Sequence, residues 1–310
     1  MHRIAVLCGG VGAARFLSGL VDVVDPAGVT AIVNVADDED FYGLHVSPDI
    51  DTVLYTLAGV VEESQGWGRR GETYNAQAEL ARFGEDTWFR LGDRDLGAHI
   101  HRSGRLRDGD ALTEITDGMR RALGIGATVL PATDARQRTM VRAADGGWLT
   151  FQEYFVKRRT ADIVRELRFE TDGPATPRAL EAIAAADAIV VAPSNPFVSI
   201  GPILELAGMR DAIGAARVTV VAVSPIVGGA AIKGPAAAML AALGHDVSAL
   251  GVARLYRDLA DAFVLDEADR ALAPAVEALG LRVTVAPTIM RDTASRAALA
   301  RTVVAAAGLA

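Results

Sequence analysis

The chain has 310 residues, 51% of them hydrophobic, and its 39 acidic against 31 basic side chains give a net charge of -8; that is enough apolar material for a large core and excludes a disordered chain. No long Lys/Arg tract is present, which excludes nucleic acid as the main partner, although backbone amides on an acidic protein still bind small phosphorylated ligands. The single cysteine, Cys8, excludes an internal disulfide and a multi-cysteine metal site and fits a reducing cytoplasm, while the absence of a leader before "RIAVL" and of any apolar run near the roughly 20 residues that span a bilayer predicts a soluble protein.

The first predicted strand, "RIAVL", runs into Gly9, Gly10 and Gly12 and then a helical stretch. Glycines let a backbone approach a phosphate closely, and the amides and dipole of a helix start favour the anion. The spacing is neither the full dinucleotide fingerprint nor a Walker loop, so a tight turn without ligand explains it equally well. Arg15, one turn into the helix, either clamps a phosphate or sits in solvent. The second strand, "TAIVNV", leads into Asn34, Asp37, Asp38, Glu39 and Asp40 at the predicted carboxyl edge of the sheet, where open α/β sheets bind ligands. Most acids in such a run are solvated loop residues; Asn34 and Asp37, closest to the strand, are the ones expected to function.

"HVSPDIDTVLYTLAG" then places Asp49 and Asp51 at the front of an apolar helical run. Two apart in a helix, they point in different directions; in an extended or cap segment both reach one ion or polar ligand. The structural alternative is that Asp49 caps this helix and Asp51 occupies its first turn, where negative charge is favourable. As an oxygen pair they suit Mg²⁺, which commonly uses one or two carboxylates, waters and substrate phosphates.

Residues 62–125 read as mostly helical, and "TMVRAADGGWLTFQEYFVKR" reads as two strands joined around Asp145, Gly146 and Gly147. A lid-like insertion is therefore expected at about 62–172, inside one α/β domain spanning 1–310. Within it, "WFRLGDRDLGAHIHR" gathers Arg90, Asp93, Arg94, Asp95, His99 and His101, as phosphate ligands with acids to orient them or as a salt-bridged helix start. His99 and His101 lack a third ligand at metal-like spacing, which argues against zinc, and both stay unassigned. After "ETDGPATPRAL", a connection rather than a hinge, come "AIVVAP", "VTVVAV" and "AFVLD", each followed by helical spacing.

Fully apolar strands alternating with helices predict a doubly wound, Rossmann-like α/β fold with a mostly parallel sheet. Two of the later strand exits are polar: Ser194, Asn195 and Pro196 lead to Ser199, and Ser224 leads to Gly228, Gly229 and Lys233. Each fits a turn by itself; with the glycine loop they make three such exits on one sheet, which favours a nucleotide or phosphate crevice. "DTASRAALARTVVAAAG" reads as one amphipathic helix with a structural role.

Taken in order, "GGVGAARFLSGL", "NVADDEDFYGLHVSPDIDTVLYTLAG", "LGDRDLGAHIHR", "FQEYFVKRR", "PSNPFVSIGPIL" and "VSPIVGGAAIKGPAAAML" resemble the 2-phospho-L-lactate transferases (CofD) of coenzyme F-420 biosynthesis, over roughly residues 3–270. The actinobacterial members are phosphoenolpyruvate transferases. The resemblance implies that the terminal ribityl hydroxyl of 7,8-didemethyl-8-hydroxy-5-deazariboflavin attacks a guanosine diphosphate ester of lactate or enolpyruvate at the phosphorus bearing the acid. GMP leaves, and Mg²⁺ assists.

By the same resemblance Asp51 and Arg90 contact the deazaflavin, and Asp51, as the catalytic candidate, either holds the ribityl chain or helps deprotonate its hydroxyl. Gly9, Gly10, Gly12, Arg15, Ser194 and Asn195 are the candidates for the guanylyl diphosphate, and Asp49 or Asp51 for Mg²⁺. A homodimer acting on small molecules in the cytoplasm is implied as well. Val11 and Arg15 stand where archaeal relatives carry Thr and Lys, which keeps the charge and leaves the donor acid open. The Ala- and Arg-rich composition suits a high-GC actinobacterium, where relatives use the enolpyruvyl donor. Two readings compete: a non-catalytic nucleotide-sugar-binding regulator of the gluconeogenesis-factor type, and a nicotinamide-dependent dehydrogenase, for which the glycine spacing is wrong.

Overall fold

The computed structural model describes residues 2–309. Its strands in chain order are β1 (Ile4–Cys8), β2 (Val29–Val33), the hairpin β3 (Glu39–Phe41) and β4 (Leu44–Val46), β5 (Thr128–Pro131), β6 (Gln137–Ala143), β7 (Trp148–Thr150), β8 (Val164–Thr171), β9 (Ala188–Val191), β10 (Thr219–Val223), the hairpin β11 (Ile226–Val227) and β12 (Ala230–Ala231), β13 (Ala262–Leu265) and β14 (Arg282–Val285). Seven of them form one parallel sheet in the order β14-β13-β10-β9-β1-β2-β5.

The short β-branched runs form these strands because helices cover both faces. Along β1, Ile4, Val6 and Cys8 enter one apolar core while Ala5 and Leu7 enter the other. Each fully buried large side chain, such as Phe16 or Leu17, contributes about 1.5–3 kcal/mol relative to exposure. The doubly wound, Rossmann-like α/β architecture is the one that the alternation of strands and helices predicts.

Strand order also fixes where a ligand fits. The chain builds outward from β1 through β2 to β5, then returns to lay β9 on the other side of β1 and builds outward again through β10, β13 and β14. The direction reverses between β1 and β9, so the loops leaving their carboxyl ends diverge and open a crevice. Those loops are the glycine loop and the "PSNP" exit.

Between β4 and β5 lie α2 (Pro48–Leu57), α3 (Asn75–Arg82), α4 (Asp93–Arg107) and α5 (Leu112–Ala122), and α1 (Gly10–Val21) follows β1 directly. Residues 62–125 are thus mostly helical, as their sequence suggests. The second strand of the predicted hairpin is shorter than expected: β7 stops at Thr150, and "FQEYFVK" is a helical turn. The reason is a reciprocal cap, in which the Thr150 amide donates to Glu153 Oε2 at 2.9 Å and the Glu153 amide donates to Thr150 Oγ1 at 3.2 Å. β6 instead finds its longer partner in β8, with which it pairs antiparallel.

The helix Thr293–Ala306 is single and uninterrupted, opened by a capping box between Asp292 and Ser295. It crosses α1 at Gly19, where any side chain would overlap the Arg296 backbone. Arg296, itself buried, donates from Nη2 to Glu63 at 2.8 Å. Among the described residues no helix is long and apolar enough to cross a membrane.

Candidate functional site

A cavity of about 820 Å³ opens at the β1/β9 reversal. The sheet edge supplies one side of it and the insertion supplies the other.

On the sheet side, Gly9 is extended and precedes α1, while Gly10 has φ +74°, a region that glycine tolerates without steric cost. The three glycines serve different needs. A Cβ on Gly9 would lie 2.5 Å from Asp49 Oδ2 and 2.9 Å from Ser199 Cβ, and one on Gly12 would overlap the Pro193 carbonyl. Around Gly10 there is open space. Gly9 and Gly12 are therefore required by the protein's own packing as well as by any ligand, while the free approach is at Gly10.

Asp49 is the pin of this loop. Its Oδ1 accepts from the Gly10 amide at 2.8 Å and its Oδ2 accepts from Asn34 Nδ2 at 3.0 Å. It sits in the first turn of α2, where Ser47 is the N-cap residue, so its carboxylate caps the start of α1 instead of its own helix. Burial pushes its carboxyl up to about 6, against the opposing hydrogen bonds from Asn34 and Gly10. Asn34 is a strut: its Oδ1 accepts from the Ala36 amide at 3.0 Å and its Nδ2 also reaches the Val198 carbonyl at 3.3 Å.

Of the acidic run, only Asp37 lines the cavity. Asp38 accepts from Ser47 Oγ at 2.7 Å and lies 3.0 Å from His45 Nε2, Glu39 accepts from Thr150 Oγ1 at 2.8 Å, and Asp40 lies 3.6 Å from His45 Nδ1. Asp37 Oδ1 is buried without a hydrogen-bond partner among the described residues, and burial, followed by the charges of Asp49 and Asp38, holds its carboxyl well above the usual range. Two neighbouring carboxylates, one with an orphaned oxygen, meet the requirement of a hard divalent cation for oxygen ligands.

Across the β9 exit, Asn195 Oδ1 accepts from the Phe197 amide at 2.9 Å and caps the following helical turn, so its oxygen is occupied. Ser194 Oγ is buried and unpartnered on the cavity wall. Ser224 bonds within its own turn, and Gly228 donates to Asp269; Gly228 and Gly229 lie away from the cavity, whereas Lys233 lines it.

On the insertion side, α4 packs against α2, which precedes the insertion, and the two bring together residues about fifty positions apart. Asp51 forms a two-pronged ion pair with Arg102, which is completely buried; Nη1 donates to Oδ2 at 3.1 Å, and Nη2 donates to Oδ1. Burial alone would weaken the charge on Arg102, but Asp51, together with Asp38 and Tyr55, outweighs it and raises the guanidinium above its ordinary value. Arg102 Nη1 lies 3.3 Å from His99 Nδ1. A guanidinium can only donate, so Nδ1 is the acceptor at this contact, and Nε2 lies 3.6 Å from Asp95 Oδ1. Asp95 in turn accepts from Tyr55 at 2.6 Å.

Asp51, Asp95 and His99 each offer a ligand atom within 4.8 Å of the others, but Arg102 already neutralises Asp51 there. Asp49 and Asp51, paired in the sequence as metal ligands, thus turn to separate partners. Arg90 lines the same wall, 4.2 Å over the Tyr74 ring, beside Trp88 and Phe89. Asp93 caps α3 through the Asn75 and Ala76 amides, the Thr73 hydroxyl and then these amides hold it down to about 2, and Arg94 bonds the Arg70 carbonyl; both are structural. His101 is exposed and outside the cavity.

Arg102 and Tyr55 are not singled out by the sequence motifs. Their signal is periodicity: Asp95, His99 and Arg102 recur at i, i+4 and i+7, a polar stripe on one face of α4 that turns inward.

Comparison with known proteins agrees with this geometry. The model of the family described as 2-phospho-L-lactate transferase CofD matches residues 4–303. A phosphoenolpyruvate transferase of Kitasatospora aureofaciens is 44% identical over 98% of each protein. A 2-phospho-L-lactate transferase of Methanosarcina mazei is 38% identical over 97% of this chain and 99% of its own length. Among solved structures, a member of the UPF0052 family from Bacillus halodurans superposes with a TM-score of 0.66 at 17% identity, covering 98% of both chains, which shows a shared fold. Matched along nearly its whole length by the family model and by relatives from both bacteria and archaea, the chain belongs to the 2-phospho-L-lactate transferase CofD family of enzymes.

Proposed function

We propose that the protein moves a phospholactyl or phosphoenolpyruvyl group from its guanosine diphosphate ester to the ribityl hydroxyl of 7,8-didemethyl-8-hydroxy-5-deazariboflavin, releasing GMP, as a step of coenzyme F-420 biosynthesis in the cytoplasm. The observation that carries this reading is that one cavity joins a phosphate-type edge, with the open approach at Gly10, Arg15 and Lys233, to an aromatic wall of Trp67, Trp88 and Phe89 with Arg90. Buried carboxylates line the same cavity. A diphosphate ester fits the first part and a planar heterocycle the second.

In the reaction the acceptor oxygen forms a bond to the phosphorus bearing the acid, and the bond to the bridging oxygen of GMP breaks. Such transfer depends mainly on in-line positioning and neutralised charge. Asp51, oriented by its two-pronged pair with Arg102, positions the ribityl hydroxyl and accepts its proton as the bond to phosphorus forms. Arg90, backed by the Tyr74 ring, stacks against the ring system. Asp37 and Asp49 are the residues that would hold Mg²⁺, because both line the cavity and Asp37 offers an unpartnered buried oxygen. When bound, that ion supplies charge neutralisation of the diphosphate.

The test supplies purified protein with the deazaflavin, Mg²⁺ and each activated donor, and follows products by mass spectrometry. A phosphodiester product with stoichiometric GMP is expected. No product with either donor, from folded protein that binds the deazaflavin, overturns the reading.

A further inference from the structure

Arg15 on α1 and Lys233 on the loop after β12 face the same cavity from opposite sides of the β1/β9 reversal, and neither has a carboxylate partner among the described residues. Lys233 Nζ donates to the Gln65 carbonyl at 2.8 Å, and Arg15 Nη2 makes one long contact, 3.5 Å, with the Glu63 carbonyl. The Glu63 carboxylate is already engaged by Arg296. Partial burial and then the charge of Arg15 lower the Lys233 ammonium below its ordinary value. Two cations therefore converge on the loop 63–65 and satisfy themselves only with main-chain oxygens.

The loop between them is seated closely. At Gly66, with φ +80°, a Cβ would lie 2.5 Å from Val11 Cγ1 and 3.4 Å from Lys233 Nζ, so the loop lies directly over the glycine turn. Converging like charges cost free energy unless an anion lies between them. An anion with two linked phosphoryl groups engages both.

We infer that Lys233 is the residue that distinguishes a diphosphate from a monophosphate in this cavity: it exchanges the Gln65 carbonyl for the second phosphoryl group, opposite Arg15, and returns to Gln65 when only one phosphate remains. This deepens the proposed transfer and rests on it, because the donor carries a diphosphate and the leaving nucleotide does not. Lys233 thereby favours donor over spent nucleotide and leaves the product loosely held.

The test is calorimetric titration of the full chain, in buffer containing Mg²⁺, with GDP and with GMP. The wild type is expected to bind GDP at least about tenfold more tightly, the scale of one charge-assisted hydrogen bond. Lys233→Met is expected to bring GDP down to within about threefold of GMP while GMP binding stays within about threefold of wild type, and Lys233→Arg is expected to restore the preference. Thermal melting checks that each variant is folded. Unchanged GDP preference in Lys233→Met, or equal loss of GDP and GMP, overturns the inference. If the wild type binds neither nucleotide, the guanosine diphosphate part of the transfer reading falls separately. Inorganic pyrophosphate against phosphate then decides the role of Lys233: loss of a pyrophosphate preference in Lys233→Met upholds it, and its retention, or no preference in the wild type, overturns it.

Discussion

The two sides of the cavity are built by opposite strategies. At the sheet edge, polar side chains are fastened to main-chain groups close by in the fold: Asp49 to the Gly10 amide, Asn34 to Ala36, Asn195 to Phe197. On the insertion side, charge answers charge between elements far apart in sequence, as in Asp51 with Arg102. The first side is rigid because strand ends dictate it. The second depends on α4 docking against α2, so its geometry is only as secure as that packing.

Mutations can break or sharpen this contrast. The largest effect is expected at Arg102→Met, which leaves Asp51 buried without its partner and should cost about 3–5 kcal/mol in urea unfolding. In a double variant with Asp51→Asn the two losses should be far from additive; additive losses would mean that the pair does not hold the two elements together. On the sheet side, Gly12→Ala drives a methyl group into the Pro193 carbonyl and should cost about 1–3 kcal/mol by the same measurement. A neutral result there would show that the strand exits yield more readily than the contrast supposes.

A smaller effect concerns pH. Because burial raises the Asp49 carboxyl to about 6, the folded chain keeps a proton that the unfolded chain has already released between about pH 4 and 6. Stability from this group therefore falls as pH rises through that window and levels off above it. Thermal melts without divalent cations should show the decline, and Asp49→Asn should flatten it. The smallest effect is at Cys8, buried behind the same loop, whose thiol is pushed up by burial and then by Asp49. It should resist iodoacetamide at pH 8 in the native protein and react fully in urea; rapid native labelling would mean that the sheet edge opens.

The same contrast explains what the sequence reveals. β1, β2, β9, β10 and β13 declare themselves as apolar runs bounded by Gly and Pro, and their exits follow, so the glycine loop, Asp37 and Asp49 fall where the fold places a ligand. Arg102 is invisible in that way, since its meaning depends on a partner 51 residues away. Its helical spacing with Asp95 and His99 is the one local trace. The helical turn after β7 was also legible, as the Thr150 to Glu153 capping pattern, but the alternating residues around it favour a strand. Asn195 shows the converse: its position at a strand exit suggests a ligand, yet its oxygen closes a turn.

The crossing of α1 and the helix Thr293–Ala306 at Gly19 has a consequence for engineering. Arg296 leaves that crossing to hold Glu63, at the root of the loop on which Arg15 and Lys233 both lean. Trimming the last helix, or replacing Arg296, would slacken a cavity-facing loop 233 positions earlier in the chain. For anyone designing shortened or fused versions of this protein, that helix is the buttress of the glycine-loop side of the cavity, and a deletion there would be read out first as altered ligand handling rather than as lost secondary structure.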